Sequence, residues 1–324
     1  MNATKLQKFF VDNVILPAVG VGVCVMFWCF LSWMTWDEGA GASDFPSPIS
    51  TWTDSAKYFA SPFSHNEAEG FDGIGLEISR SLMLVGLGFG MAIMAAVPIG
   101  FLLGGSQRFA SMFDPIFQVL RPISPLAWYP LAGLIVIAIR RYNKEIDATQ
   151  LQCIFTIAMC SIWPTILNTA VGVRAIPNDY LNVAKVLRLS TQKLFTRILL
   201  PATVPYMFTG FRLSLGIAWL VIVAAEMLSG KSGIGAFVNN QYQSGTYGPM
   251  IAAVIAIGVV GFILDRCMNV LEKNAISILG FPSFLVRFVQ GLRSQGTPSI
   301  SSSTLSAMES STHHRHKETS DAAA

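Results

Sequence analysis

Six stretches of this chain stay apolar for long enough to cross a lipid bilayer, and this restricts the possible folds more than any other feature. A helix rises about 1.5 Å per residue, so a hydrocarbon core of about 30 Å takes about 20 apolar residues. The stretches cover residues 14–36, 81–103, 122–139, 151–173, 207–228 and 250–270. Bilayer interior offers no water to the backbone, so spans of this length are expected to be helices. The expected fold class is an all-α integral membrane protein with about six transmembrane helices. Composition agrees: 52% of the 324 residues are hydrophobic and 13% are charged, whereas a soluble domain is about 25% charged. A net charge of +3 without blocks of like charge gives no reason to expect nucleic acid as a partner.

Residues 1–36 form an N-terminal segment and first span, which reads as an uncleaved anchor because its apolar run exceeds a signal-peptide core. The third stretch is interrupted by Pro122, Pro125 and Pro130. Proline removes a backbone donor, so this span is expected to pack inside the bundle rather than against lipid. Lys and Arg concentrate on one side of the spans, including Lys5, Lys8, Arg108, Arg121, Arg174, Lys185, Arg188, Lys193 and Arg197. The positive-inside rule then places both termini in the cytoplasm. A local cluster at Arg140, Arg141 and Lys144 runs against that count. Residues 37–78 form an acidic external loop, which reads as a solubilising segment or as a docking surface for an external partner. Residues 79–275 form a core with five spans. Residues 276–324 form a cytoplasmic tail that is Ser/Thr-rich and expected to be disordered beyond 291. His313, His314 and His316 read as incidental residues of a solvated tail, with metal binding as the alternative, and the five cysteines, which have no metal spacing, read as small apolar side chains in helices.

Between the fourth and fifth stretches, residues 176–201 read as two short helices. Pro177 and Asp179 suit a first helical turn, and Ser190 can cap the second helix, which Pro201 is expected to end. Tyr180, Val183, Ala184 and Leu187 share one face at helical spacing. Such a helix at the membrane surface is either a docking knob or an ordinary interfacial helix.

The segment from Asn182 to Pro201 resembles the Glu-Ala-Ala loop of binding-protein-dependent ABC importer permeases. Asn182, Val183 and Ala184 occupy its first three positions, Arg188 falls at its glycine, and Ile198, Leu200 and Pro201 match its end. Pro122-Ile123-Ser124-Pro125-Leu126-Ala127-Trp128, Ser161-Ile162-Trp163-Pro164, Asn168-Thr169-Ala170-Val171-Gly172-Val173-Arg174 and Ala224-Ala225-Glu226-Met227-Leu228 are similar to nitrate-type permeases. These are related to bicarbonate and cyanate permeases, and further off to sulfonate and taurine ones. The resemblance implies a type I importer permease fold in a bacterial inner membrane, with 176–201 as the coupling loop. It also implies a homodimer of permease copies and two cytoplasmic ATPase subunits that hold ATP and Mg. A periplasmic or lipid-anchored binding protein would deliver a small inorganic anion. Ala184, being small, is expected to let the loop sit close in a groove on the ATPase.

The chain itself carries no nucleotide motif. Gly230-Lys231-Ser232 looks like the end of a phosphate loop, but Ala225 stands where that loop needs glycine. No cofactor, metal site or catalytic residue is expected. Ser124, Trp128, Trp163, Asn168 and Glu226 are candidates to line or gate a pathway, with helix packing as the competing role for each. Arg121 and Arg212 either attract an anion or snorkel to headgroups. A secondary transporter, channel or membrane scaffold remains the reading from another class. The first two would need intramembrane charge networks, and Glu226 stands out as a mid-chain carboxylate.

Overall fold

The computed structural model describes residues 15–37, 42–43, 45–65, 73–141 and 147–278. The tail, with its histidines and expected disorder, lies outside the described residues. Of the two units of the chain, Met1–Asn274 carries the helical bundle, and Ala275–Ala324 is described only as far as Ile278.

The elements in order are α1 (Leu16–Met34), a two-residue antiparallel pair β1 (Trp36–Asp37) and β2 (Ala42–Ser43), and α2 (Pro48–Ala60). Then come α3 (Ile74–Gly105), α4 (Gln107–Leu120), α5 (Pro125–Arg140) and α6 (Ala148–Arg174). Two loop helices, α7 (Asn178–Val186) and α8 (Thr191–Leu194), lead through a π-turn (Phe195–Leu199) into α9 (Leu200–Ser229). The last elements are α10 (Ile234–Gln243) and α11 (Tyr247–Ile278). Five helices are long and apolar enough to cross a membrane, and a sixth crossing arises if α4 and α5, bent by 107°, count as one. The expectation of about six spans therefore holds, with the proline-rich third stretch as half of a broken pair.

That third stretch is not interior to this chain. In α5 only Ala132 and Val136 are buried, while Leu126, Leu134 and Ile137 are exposed. The proline argument overestimated the damage. Pro122 lies in the turn and Pro125 opens the helix, where an N–H has no partner anyway. Only Pro130 interrupts the ladder.

The bundle core is α3, α6 and α9. The small residues Gly88, Ala92, Ala96, Gly100 and Gly104 of α3 repeat every four residues and so line one face. An added Cβ at Gly88 would sit 2.7 Å from Ile157 Cβ, and one at Gly100 would sit 2.6 Å from Thr169 Cβ. Backbones this close gain dispersion contacts, which drive helix association where lipid is as apolar as leucine. On the other side of α6, Thr165 and Ser214 share a 2.8 Å hydroxyl bond to α9.

Hydrogen bonds fix which helix ends lie together. Arg174 at the end of α6 donates to the Leu103 carbonyl at the end of α3, at 2.9 Å. Lys231, just past α9, pairs with Asp147 at the start of α6. Helices α3 and α6 thus run parallel in direct contact, α9 runs back against the other side of α6, and residues 176–201 lie at one end of the bundle.

Candidate functional site

The loop at 176–201 folds as two helices, as expected, with differences that matter for its use. Pro177 is the residue before the first helical turn of α7, and Asp179 sits within that turn. Ser190 accepts from the Lys193 N–H at 3.4 Å and caps α8. Pro201 does not end the second helix. It stands in the first turn of α9, and the run Thr191–Ser229 continues for 39 residues. The π-turn at Phe195–Leu199 absorbs the missing donor and the ring by widening the preceding turn. Phe195 packs edge-on against Phe101 of α3, with centroids 4.9 Å apart.

Arg188 has φ +47°, in the left-handed region. Its N–H bonds to the Lys185 carbonyl and the Leu189 N–H to the Ala184 carbonyl, both at 3.0 Å. This pair of bonds is a Schellman cap, whose left-handed position is usually glycine. The glycine in the family pattern therefore has a backbone reason, and Arg188 keeps the conformation at a steric cost.

The α7 face divides in two. Ala184 is buried, with 4% exposure, so it packs into its own chain and does not present itself to a partner groove. Tyr180, Val183, Val186 and Leu187 are exposed, and Val186 reaches 82%. Asn182 is exposed, and Ile198, Leu200 and Pro201 are half-buried where the loop joins α9. Beneath the loop a cavity of about 840 Å³ opens between Pro98 and Phe101 of α3, Arg174, Leu181 and Leu199.

At the opposite end of the bundle, Glu226 is 1% exposed and belongs to a polar knot. Ser81 Oγ lies 2.7 Å and 2.9 Å from its two carboxylate oxygens. The Gly235 N–H donates to Glu226 at 2.9 Å, and the Ile234 N–H donates to Ser81 Oγ at 3.0 Å. Glu77, itself 2% exposed, accepts from the Gly233 N–H at 2.5 Å and pairs with Arg80 at 3.3 Å. Two carboxylates thus receive the unpaired N–H groups and positive end of α10. Gly233, at φ +145°, leaves no room for a side chain beside the Glu226 carboxylate. Next to the knot a cavity of about 190 Å³ is lined by Arg80, Asp147, Cys153, Glu226 and Lys231.

Burial alone would raise the Asp147 carboxyl. The Lys231 ammonium and the Thr149 and Gln150 N–H groups outweigh it and hold the group below its usual value. The turn Gly230-Lys231-Ser232 is therefore the cap of α9, with Gly230 at φ +63° and Lys231 engaged by Asp147. It has no phosphate-loop geometry.

The remaining pathway candidates are not assembled into one site. Ser124 caps α5, accepting from the Leu126 N–H at 3.3 Å. Trp163 is core, 7% exposed and 5.6 Å from the Phe117 ring. Asn168 donates to the Pro164 carbonyl at 2.8 Å, beside the close approach of α9 at Gly210. Trp128 is half-buried, and its indole N–H has no hydrogen-bond partner. Among the described residues, no hydrogen bond or ring contact links any of these four side chains to another or to Glu226.

Two ionisable groups have roles that the sequence reading missed. Glu77, read as part of the acidic external loop 37–78, is instead buried in the first turn of α3. Asp265 in α11 makes a two-pronged ion pair with Arg212 of α9, at 2.5 Å and 2.7 Å. The signal was available, because any charge within an apolar run invites a search for its partner. Arg212 thus neither waits for an anion nor reaches for a headgroup.

Residues 96–277 match the family described as the binding-protein-dependent transport system inner membrane component. The nitrate import permease protein of Synechocystis sp. is 40% identical over 272 residues, covering 84% of this chain and 92% of the relative. The bicarbonate transport system permease protein of the same organism is 38% identical over 276 residues, covering 84% and 93%. Among solved structures, an inward-facing form of the MetNI methionine ABC transporter superposes with a TM-score of 0.52 at 13% identity. It covers 62% of this chain and 95% of that one, so the likeness concerns the fold, that of a type I importer permease. The chain belongs to the binding-protein-dependent transport system inner membrane component family.

Proposed function

We propose that this chain is the membrane-spanning permease subunit of an ATP-driven importer that moves nitrate inward across a bacterial inner membrane. The observation that carries this reading is the 40% identity to a nitrate import permease along nearly the whole of that relative. In this reading two copies form the pathway, two ATPase subunits hold ATP and Mg, and a binding protein delivers the anion. The excess of Lys and Arg around 176–201 supports a cytoplasmic position for that end and for both termini. The permease performs no chemistry.

The geometry supports a mechanical role for α7. Its exposed Tyr180, Val183, Val186 and Leu187 form an apolar face suited to a cleft on the ATPase. Closure of the ATPases on nucleotide shifts α7. The shift reaches α9 through the continuous run Thr191–Ser229. The far end of that lever is held by Glu226 to α3 and α10. Movement at the loop then biases the bundle between two packings.

A second reading, bicarbonate, is favoured by the 38% identity to a bicarbonate permease over an equal share of the chain. Both anions are planar, trigonal and singly charged. Uptake by the chain reconstituted with its ATPase and binding protein separates the readings. Nitrate accumulation undiminished by equimolar bicarbonate supports the first. Bicarbonate accumulation without nitrate establishes the second, and uptake of neither overturns both.

A further inference from the structure

Helix α2, in the stretch read from sequence as an acidic external loop, is built inside out. Its inward face is polar: Thr51 is 4% exposed, Ser55 is fully buried, and Tyr58 packs edge-on against Phe237 of α10 at 5.1 Å. Its outward face is apolar. Ile49 is 78% exposed and Trp52 66%, Ala56 and Ala60 continue the same stripe, and Trp52 stacks at 6.1 Å on Phe59, which is half-buried against the apolar core. Thr53 and Lys57 flank this stripe on one edge. A helix bordering water turns its apolar face to the protein. This one does the reverse, so the medium outside it is not water.

Both ends of α2 are tied to the boundary of the membrane-spanning helices. Before its start, the Pro46 carbonyl accepts from the indole of Trp28 in α1 at 3.0 Å. Trp28 lies six residues before Met34, the end of α1, which puts this junction about 9 Å below that helix end. After its end, the Pro62 carbonyl accepts from the Leu76 N–H in the first turn of α3 at 3.0 Å. The outward stripe is also continuous with α1, a span in which only Ser32 is buried.

We infer that α2 lies in the headgroup–acyl boundary of the leaflet opposite residues 176–201, with Ile49 and Trp52 against lipid. Tryptophan at that depth matches the aromatic belt of membrane proteins, and a charged edge beside an apolar face is the form of an interfacial helix. The occupant of this face is lipid, not a delivering protein and not a second copy. The helix braces α10 and the start of α11, where Asp54 presses on Gly248.

Spin labels test this in vesicles of phosphatidylethanolamine and phosphatidylglycerol, using the chain with its native cysteines replaced. A label at Trp52→Cys should relax more with oxygen than with a water-soluble nickel chelate, and a label at Ser64→Cys should show the opposite order. Greater nickel accessibility at Trp52→Cys means the face is in water and overturns the proposal. Low accessibility to both reagents means a protein surface covers it, which also overturns it. A second measurement needs no label. Brominated lipids should quench the parent more than Trp52→Phe, and more strongly with bromines near the headgroup end than near the methyl end. Equal quenching of parent and variant would contradict the inference.

Discussion

The same substitution on one helix should have opposite effects at two glycines of α3. At Gly90 a Cβ meets nothing within 4 Å. Gly90→Ala therefore gains only the helix preference of alanine, about 0.5–1 kcal/mol. At Gly100 a Cβ would stand 2.6 Å from Thr169 Cβ and 2.9 Å from the Ile166 carbonyl. Neither neighbour is the free end of a flexible side chain, so α3 and α6 must separate by about 1 Å to reach an ordinary carbon contact of about 3.5–4.0 Å. Overpacking of this kind costs about 1–3 kcal/mol. Set against the same helix gain, the net loss for Gly100→Ala is about 0–2.5 kcal/mol, which puts it about 1–3 kcal/mol below Gly90→Ala. Thermal unfolding of the purified chain, followed by the reactivity of buried Cys153 and Cys160 with a thiol-reactive dye, measures the difference. Gly90→Ala should match or exceed the parent, and Gly100→Ala should unfold at lower temperature. If Gly100→Ala were as stable as Gly90→Ala, the close helix contact would be refuted.

Glu226→Leu leaves the buried Gly235 N–H without its acceptor and should cost about 1–3 kcal/mol in the same assay, while Glu226→Gln, which keeps an oxygen there, should cost less. Arg188→Gly removes the strain of a left-handed arginine and should stabilise the α7 cap by about 0.5–1 kcal/mol, read as slower hydrogen exchange at the Leu189 amide. The Asp147–Lys231 bridge should weaken with acid. A carboxyl held below its usual value adds stability above that usual value and loses it as pH falls through the folded one. The acid-dependent part of the unfolding curve should accordingly shrink in Asp147→Asn.

Much of this architecture was legible in the sequence because bilayer physics leaves few options. Apolar length found the spans, and propensity found Asp179 in the first turn of α7 and the cap at Ser190. The four-residue repeat from Gly88 to Gly104 was equally readable, as a face where small side chains admit another helix. The role of Pro201 was not, because a proline that ends a helix and one that opens the next look alike. Only the π-turn before it, a tertiary adjustment against Phe101, distinguishes them. Ala184 was recognised as special, yet small size alone does not say whether a side chain is buried in its own chain or in a partner. The polar knot was hidden for a different reason. Glu77 and Glu226 are separated by 149 residues in sequence, and their meeting depends on α9 running back antiparallel so that its end reaches the start of α3.

The account stands or falls on whether force from an ATPase enters through the exposed face of α7. The decisive measurement is nitrate uptake into proteoliposomes with ATP supplied to the ATPase, comparing the parent with Val183→Glu and Val186→Glu. Both variants alter exposed side chains and should insert and unfold as the parent does. The parent should accumulate nitrate only with ATP, and the variants should lose both uptake and retention of the ATPase. Nitrate accumulation by the parent without ATP, or full ATP-driven uptake by both variants, would contradict the account.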